Sequence, residues 1–135
     1  MKLDLSSLKK AINALNHALN EYEKNPSEFV KDSCIQRFEF TYELSHKFIK
    51  RYLEITEASS DEIDEMSFRQ LIRTATEKGL LLSDLEAWGD YRETRIQANQ
   101  AYDENIACKV FEAIPDFLKE AEYLYKRLEE RDASN

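Results

Sequence analysis

Leu5, Leu8, Ile12, Leu15, Leu19 and Tyr22 recur at spacings of 3, 4, 3, 4 and 3, the period of an α-helix laid on one apolar surface. Related stripes return along the rest of the chain, and only two Gly and two Pro interrupt 135 residues. Breakers that sparse favour long helices over a many-turned β fold. The first stripe ends at Asn25-Pro26. A second helix is predicted from Ser27 or Asp32, both suitable N-caps, to about Ile55, with Val30, Ile35, Phe38, Tyr42, Ile49 and Leu53 on its inner face. Phe40, Leu44, Phe48 and Tyr52 occupy its other faces, so it should be covered on more than one side.

The segment "TEASSDEIDEM" is polar and acidic and is read as a loop. Ser67 with Gln70 forms a capping box, and Met66 with Leu71 a hydrophobic staple, which predicts a short helix closed by Gly79. Ser83 with Glu86 repeats the box and opens a helix carrying Leu85, Trp88, Arg92 and Ile96 on one side. Asp103 is the expected cap of the last helix, whose apolar phase persists across Pro115 and predicts one helix kinked there. The terminal "RDASN" is expected to fray. The resulting fold class is all-α: an up-and-down antiparallel four-helix bundle with an additional short helix, in one domain spanning residues 1–135.

A formal net charge of −8 opposes non-specific attraction to nucleic acid or an anionic membrane, so any nucleic-acid contact must be local. Cys34 and Cys108 stand alone in apolar helical patterns and are read as buried thiols of a reducing compartment. The N-terminal "MKLDLSSLKK" lacks the apolar region of a signal peptide. A cytoplasmic location is expected.

His17 and His46 have no metal-ligand spacing, the acidic residues 61–65 lack the pattern of a calcium loop, and Gly79 and Gly89 form no phosphate cradle. No metal site is expected. More informative are Arg92 with Arg95, and Arg69 with Arg73, each pair on one helix face and each suited to phosphate or carboxylate. Phe38, Phe40, Tyr42, Trp88 and Tyr91 exceed what one helix face can bury, so some are expected to line a groove or an interface.

The stretch "IQRFEFTYELSHKFIKRYLE", residues 35–54, resembles the hallmark segment of the nucleotidyltransferase substrate-binding family. "YRETRIQANQAYDENIA", residues 91–107, extends the resemblance, which covers residues 3–131. The resemblance implies a helical bundle like the C-terminal domain of kanamycin nucleotidyltransferase, within the HEPN superfamily. It also implies a homodimer that pairs with a separate minimal nucleotidyltransferase. Nucleotide and magnesium would belong to that partner, leaving no cofactor in this chain.

HEPN ribonucleases share an R-x4-6-H motif, often continued to Tyr. Laid on this sequence, the Arg is Arg95, the Tyr is Tyr102, and Gln100 stands where the His would be. A carboxamide does not titrate near neutral pH and cannot act as general base. The resemblance therefore implies a non-catalytic substrate-binding subunit, part of a toxin–antitoxin-like module, with Arg92, Arg95, Gln100, Tyr102 and Asp103 holding phosphate or substrate. Tyr102 also matches a tyrosine that the partner adenylylates in related pairs. The alternative is a ribonuclease toxin with a degenerate motif, using Arg95 with another base such as His46.

Overall fold

The computed structural model describes residues 3–133, which form six α-helices and one 3-10 turn with no strand among the described residues. The fold is an all-α bundle. Helix α1 (Ser6–Lys24) and helix α2 (Glu28–Thr56) are joined by the short Asn25–Ser27 connection and pack on each other extensively. Ser27 caps α2, its Oγ accepting from the Val30 amide at 3.1 Å, so the earlier of the two caps is used. Buried residues of α2 face both α1 and α6, among them Ile35, Phe38, Phe48, Ile49 and Leu53.

The acidic stretch after α2 does not stay a loop. Ser60–Glu65 folds as helix α3 and packs on α2. Its one buried apolar residue, Ile63, supplies an anchor that the surrounding carboxylates conceal in the sequence. Helix α4 (Phe68–Glu77) carries both arms of its capping box: Ser67 Oγ accepts from the Gln70 amide at 3.2 Å, and Gln70 Oε1 from the Ser67 amide at 3.1 Å. Gly79, at φ 71°, turns the chain beyond it.

Helix α5 (Leu85–Gln97) begins one residue later than the Ser83–Glu86 box implies, because Asp84 is the cap, accepting from the Ala87 amide at 3.0 Å. Ser83 is drawn elsewhere: its amide and that of Leu82 donate to Glu120 Oε2 at 3.4 and 2.8 Å. Glu120 is wholly buried, a carboxylate turned inward to satisfy two amides of the α4–α5 connection. Arg127 adds a hydrogen bond to the Gly79 carbonyl at 3.1 Å. The last helix thereby ties down the segment that leads into α5.

After the 3-10 turn Ala98–Gln100, Asp103 caps helix α6 (Glu104–Ala133), which continues unbroken through Pro115. Ile114, Phe117 and Leu118 are buried on either side of that proline, so core packing offsets the backbone bond it removes. The expected fraying of the tail fails for Arg131–Ala133, which are helical; Asp132 accepts from the Leu3 amide at 3.3 Å. Ser134 and Asn135 lie outside the described residues.

One core cluster draws on every helix. At its centre Phe117 meets Tyr91 at 5.2 Å, Phe38 at 5.3 Å, Tyr42 at 5.8 Å and Trp88 at 6.0 Å between ring centroids. The aromatic surplus is therefore mostly interior. Phe38 and Trp88 are fully buried rather than lining a groove; Phe40 alone of the five is strongly exposed. No helix among the described residues is long and apolar enough to cross a membrane.

Candidate functional site

Trp88 anchors α5 to the core and leaves Arg92 and Ile96, on the same helix, facing outward at the border with α2 and α4. A cleft of about 560 Å³ opens there, lined by Tyr42, His46, Lys50, Phe68, Arg92 and Arg95 among others. Phe68 joins its two most reactive neighbours. Its ring lies nearly parallel to the His46 imidazole, with centroids 6.2 Å apart at 7°, and carries the Arg92 guanidinium 4.8 Å from its centroid.

Burial holds the His46 pKa below its ordinary 6.5, and the positive charges of Lys50 and Arg92 push it the same way. The imidazole is thus neutral at physiological pH and able to take a proton. Burial pushes the Tyr42 phenol up to about 12, although Arg92 and Arg95 favour its ionisation. Tyr42 is therefore a neutral wall of the cleft.

The two arginines are in different electrostatic states. Arg95 is paired with Glu43 in a short contact and with Glu39 at 3.3 Å, and it donates to Asn99 at 3.4 Å. Its Nε is buried without a hydrogen-bond partner. Arg92 is exposed and makes no ion pair among the described residues. The cleft's available guanidinium is Arg92, one turn before the arginine that the motif alignment selects.

Gln100, Tyr102 and Asp103 do not join this cleft. Gln100 is exposed on the 3-10 turn, and Tyr102 is 90% exposed beside a hollow of about 140 Å³ shared with Glu28, Lys31, Asp32, Ala101 and Glu104. Asp103 is occupied in capping α6, accepting from the Asn105 amide at 2.9 Å. Of the expected binding residues, the fold brings together Arg92 and Arg95 and leaves the other three at the turn. Phe40 faces a separate apolar groove with Ala11, Ala14 and Leu44. Cys34 is buried as expected, whereas Cys108 is only half-buried, with Lys31 Nζ 3.7 Å from its sulfur.

Sequence reasoning reaches His46 only as a fallback base and does not assign Phe68 to a site. The signal is present but weak: His46 is four residues beyond Tyr42 and four before Lys50, hence on one face of α2. Nothing local says that this face meets α5.

The model of the family described as "Nucleotidyltransferase substrate binding protein like" matches residues 3–130. The chain belongs to that family. It is 34% identical to a Haemophilus influenzae protein named probable ribonuclease HepT, over 97% of this chain and 95% of that protein. A solved Haemophilus influenzae structure described as revealing the fold of a substrate-binding domain of a nucleotidyltransferase superposes with a TM-score of 0.86 at 32% identity, covering 93% of this chain and 99% of that one. A Thermus thermophilus protein of solved structure superposes with a TM-score of 0.75 at 29% identity, covering 90% of this chain and 98% of that one.

The Haemophilus relative corrects one expectation. A chain expected to do no chemistry of its own is kin to a probable ribonuclease, which points to an enzyme. The expectation rests on the loss of a base at Gln100, yet the fold sets another titratable imidazole, His46, beside an unpaired arginine.

Proposed function

We propose that this protein cleaves RNA in the α2–α5 cleft, with Arg92 holding the scissile phosphate and His46 acting as general base. The observation that carries the reading is the His46 imidazole and the Arg92 guanidinium meeting on one phenylalanine ring, where burial holds the imidazole pKa low. His46 takes the proton of the 2′-hydroxyl; the 2′-oxygen attacks phosphorus and the bond to the 5′-oxygen breaks. Returning that proton to the departing 5′-oxygen leaves a 2′,3′-cyclic phosphate and a free 5′-hydroxyl, with no net proton or water consumed. A positioned base contributes about 10²–10⁴-fold and a cation on the developing charge a comparable amount.

The test is cleavage of a labelled single-stranded RNA by the purified chain. The expected result is a cyclic-phosphate product that a 2′-O-methyl substrate does not give. Intact RNA at high protein concentration overturns the reading.

The family name supports association with a nucleotidyltransferase, and the exposure of Tyr102 supports its availability to such a partner. In this extension the partner transfers an adenylyl group from ATP to the phenol oxygen and releases pyrophosphate. Intact mass after incubation with partner, ATP and magnesium should show the adenylyl addition. An unchanged mass, or an addition that survives Tyr102→Phe, overturns it.

A further inference from the structure

The cleft does not end at Phe68. A second hollow of about 800 Å³ runs on between the start of α4 and the outer stripe of α5, and it shares Phe68, Arg92 and Ile96 with the first. Those three residues form a ridge between two depressions of one groove. Ile96 is about half exposed and Phe68 partly so, giving apolar surface on which an unstacked base can lie. Beyond the ridge stands Arg69, exposed and with no ion pair among the described residues.

Gly89 forms the floor, in the middle of α5. A methyl group at its α-carbon would meet nothing within 4 Å, so the protein's own packing does not require a glycine there. Glycine in a helix interior is unfavourable, and what its absent side chain leaves is space in the groove. Glu86 and Glu93 supply acceptors along the same stripe.

We propose that the second hollow is a subsite for the nucleotide adjoining the one held at Arg92. The strand crosses the Phe68–Ile96 ridge, Arg69 binds the next phosphate, and Glu93 or Glu86 accepts from an exocyclic amine of the neighbouring base. Carboxylates favour amine-bearing bases over uracil, whose carbonyls flank its single N–H. The occupant is single-stranded RNA because two guanidiniums, acceptors and an apolar ridge share one groove on a chain whose net charge of −8 otherwise repels polyanions. The subsite rests on the cleavage reading for its substrate class, but not for its binding.

The experiment measures fluorescence anisotropy of 2′-O-methyl oligonucleotides, which bind without being cut, alongside cleavage of matched RNA. Arg69→Ala is expected to weaken binding of a tetramer about fivefold or more, and to reduce the salt slope by about one, while sparing a mononucleotide. Gly89→Leu, which fills the floor, should weaken the tetramer similarly without lowering the melting temperature. Glu93→Gln together with Glu86→Gln should narrow the preference for cytidine over uridine beside the ridge. Oligonucleotide binding that depends on Arg69 and Gly89 without any cleavage upholds the subsite and removes the ribonuclease. Cleavage and binding indifferent to Arg69→Ala and Gly89→Leu overturn the subsite and leave the ribonuclease standing.

Discussion

The α2–α5 cleft and the turn around residues 98–103 hold the same kinds of residue in opposite conditions. At the turn, Gln100 and Tyr102 are exposed to solvent and Asp103 is committed to capping α6. In the cleft, His46 is pressed between burial and two positive charges, and Arg92 lies over an aromatic ring and makes no ion pair among the described residues. Spacing along the chain selects the turn. Electrostatics selects the cleft. The difference teaches that a motif is a statement about geometry in one fold context; on the cleavage reading, groups from separate helices take over where the motif has lapsed.

The largest effect separates the regions outright. His46→Ala is expected to reduce kcat/KM for RNA cleavage by about 10²–10⁴, the range of a positioned general base. Gln100→Ala should stay within about twofold. The sharper variant is Gln100→His, which restores the motif on paper. If cleavage depends on the cleft, this change gives little gain and leaves His46→Ala inactive. A Gln100→His protein that rescues His46→Ala would move the active site to the turn.

Next in size is the contrast between the two arginines. Arg92→Ala removes the unpaired cation and should cost about 10²-fold in cleavage. Arg95→Ala removes a guanidinium already neutralised by Glu39 and Glu43, so a smaller loss is expected. Glu39→Gln with Glu43→Gln frees Arg95 and should strengthen RNA binding while steepening its salt dependence. Equal losses from the two arginine variants would mean that the Arg95 ion pairs break when RNA binds and that Arg95 holds phosphate as Arg92 does; unchanged affinity in the double glutamine variant would mean that Arg95 takes no part in binding.

The pH dependence follows from His46. Its folded pKa lies below the ordinary 6.5, so between the two values the unfolded chain binds more protons than the native one. Stability is therefore present above pH 6.5 and is lost as pH falls toward the folded value. Cleavage should rise with pH through that same folded value and then level off. His46→Gln is expected to flatten the stability change, measured by urea unfolding at stepped pH; an unaltered slope would assign the titration to another group.

The fold was largely readable because it rests on periodicity and local caps. The stripe from Leu5 to Tyr22 and the Ser67–Gln70 box report interactions within a few residues, and both are present in the structure. What escaped depends on long-range partners. Asp84, not Ser83, caps α5, while the Ser83 amide donates to Glu120 on another helix. The acidic run becomes α3 because one isoleucine finds the core. Phe38 and Trp88 read as surplus until Phe117 gathers them. The site suffered most, since His46, Phe68 and Arg92 come from three helices whose mutual approach no local pattern encodes.

The smallest effect compares two helix caps of similar chemistry. Asp84 Oδ1 accepts from the Ala87 amide at 3.0 Å, and Asp103 Oδ1 from the Asn105 and Ile106 amides at 2.9 and 3.3 Å. Losing an aspartate cap costs about 1 kcal/mol, so Asp84→Ala and Asp103→Ala should each lower the melting temperature by a few degrees. Their functional consequences should differ. Asp84 sets the first turn of α5, whose later turns carry Gly89, Arg92 and Ile96, so fraying there loosens one wall of the cleft and should raise KM. Asp103 sets α6 below the turn, away from His46 and Phe68, and its loss should leave KM unchanged. Matched losses of stability with unequal KM would tie substrate binding to α5; a KM rise confined to Asp103→Ala would return it to the turn.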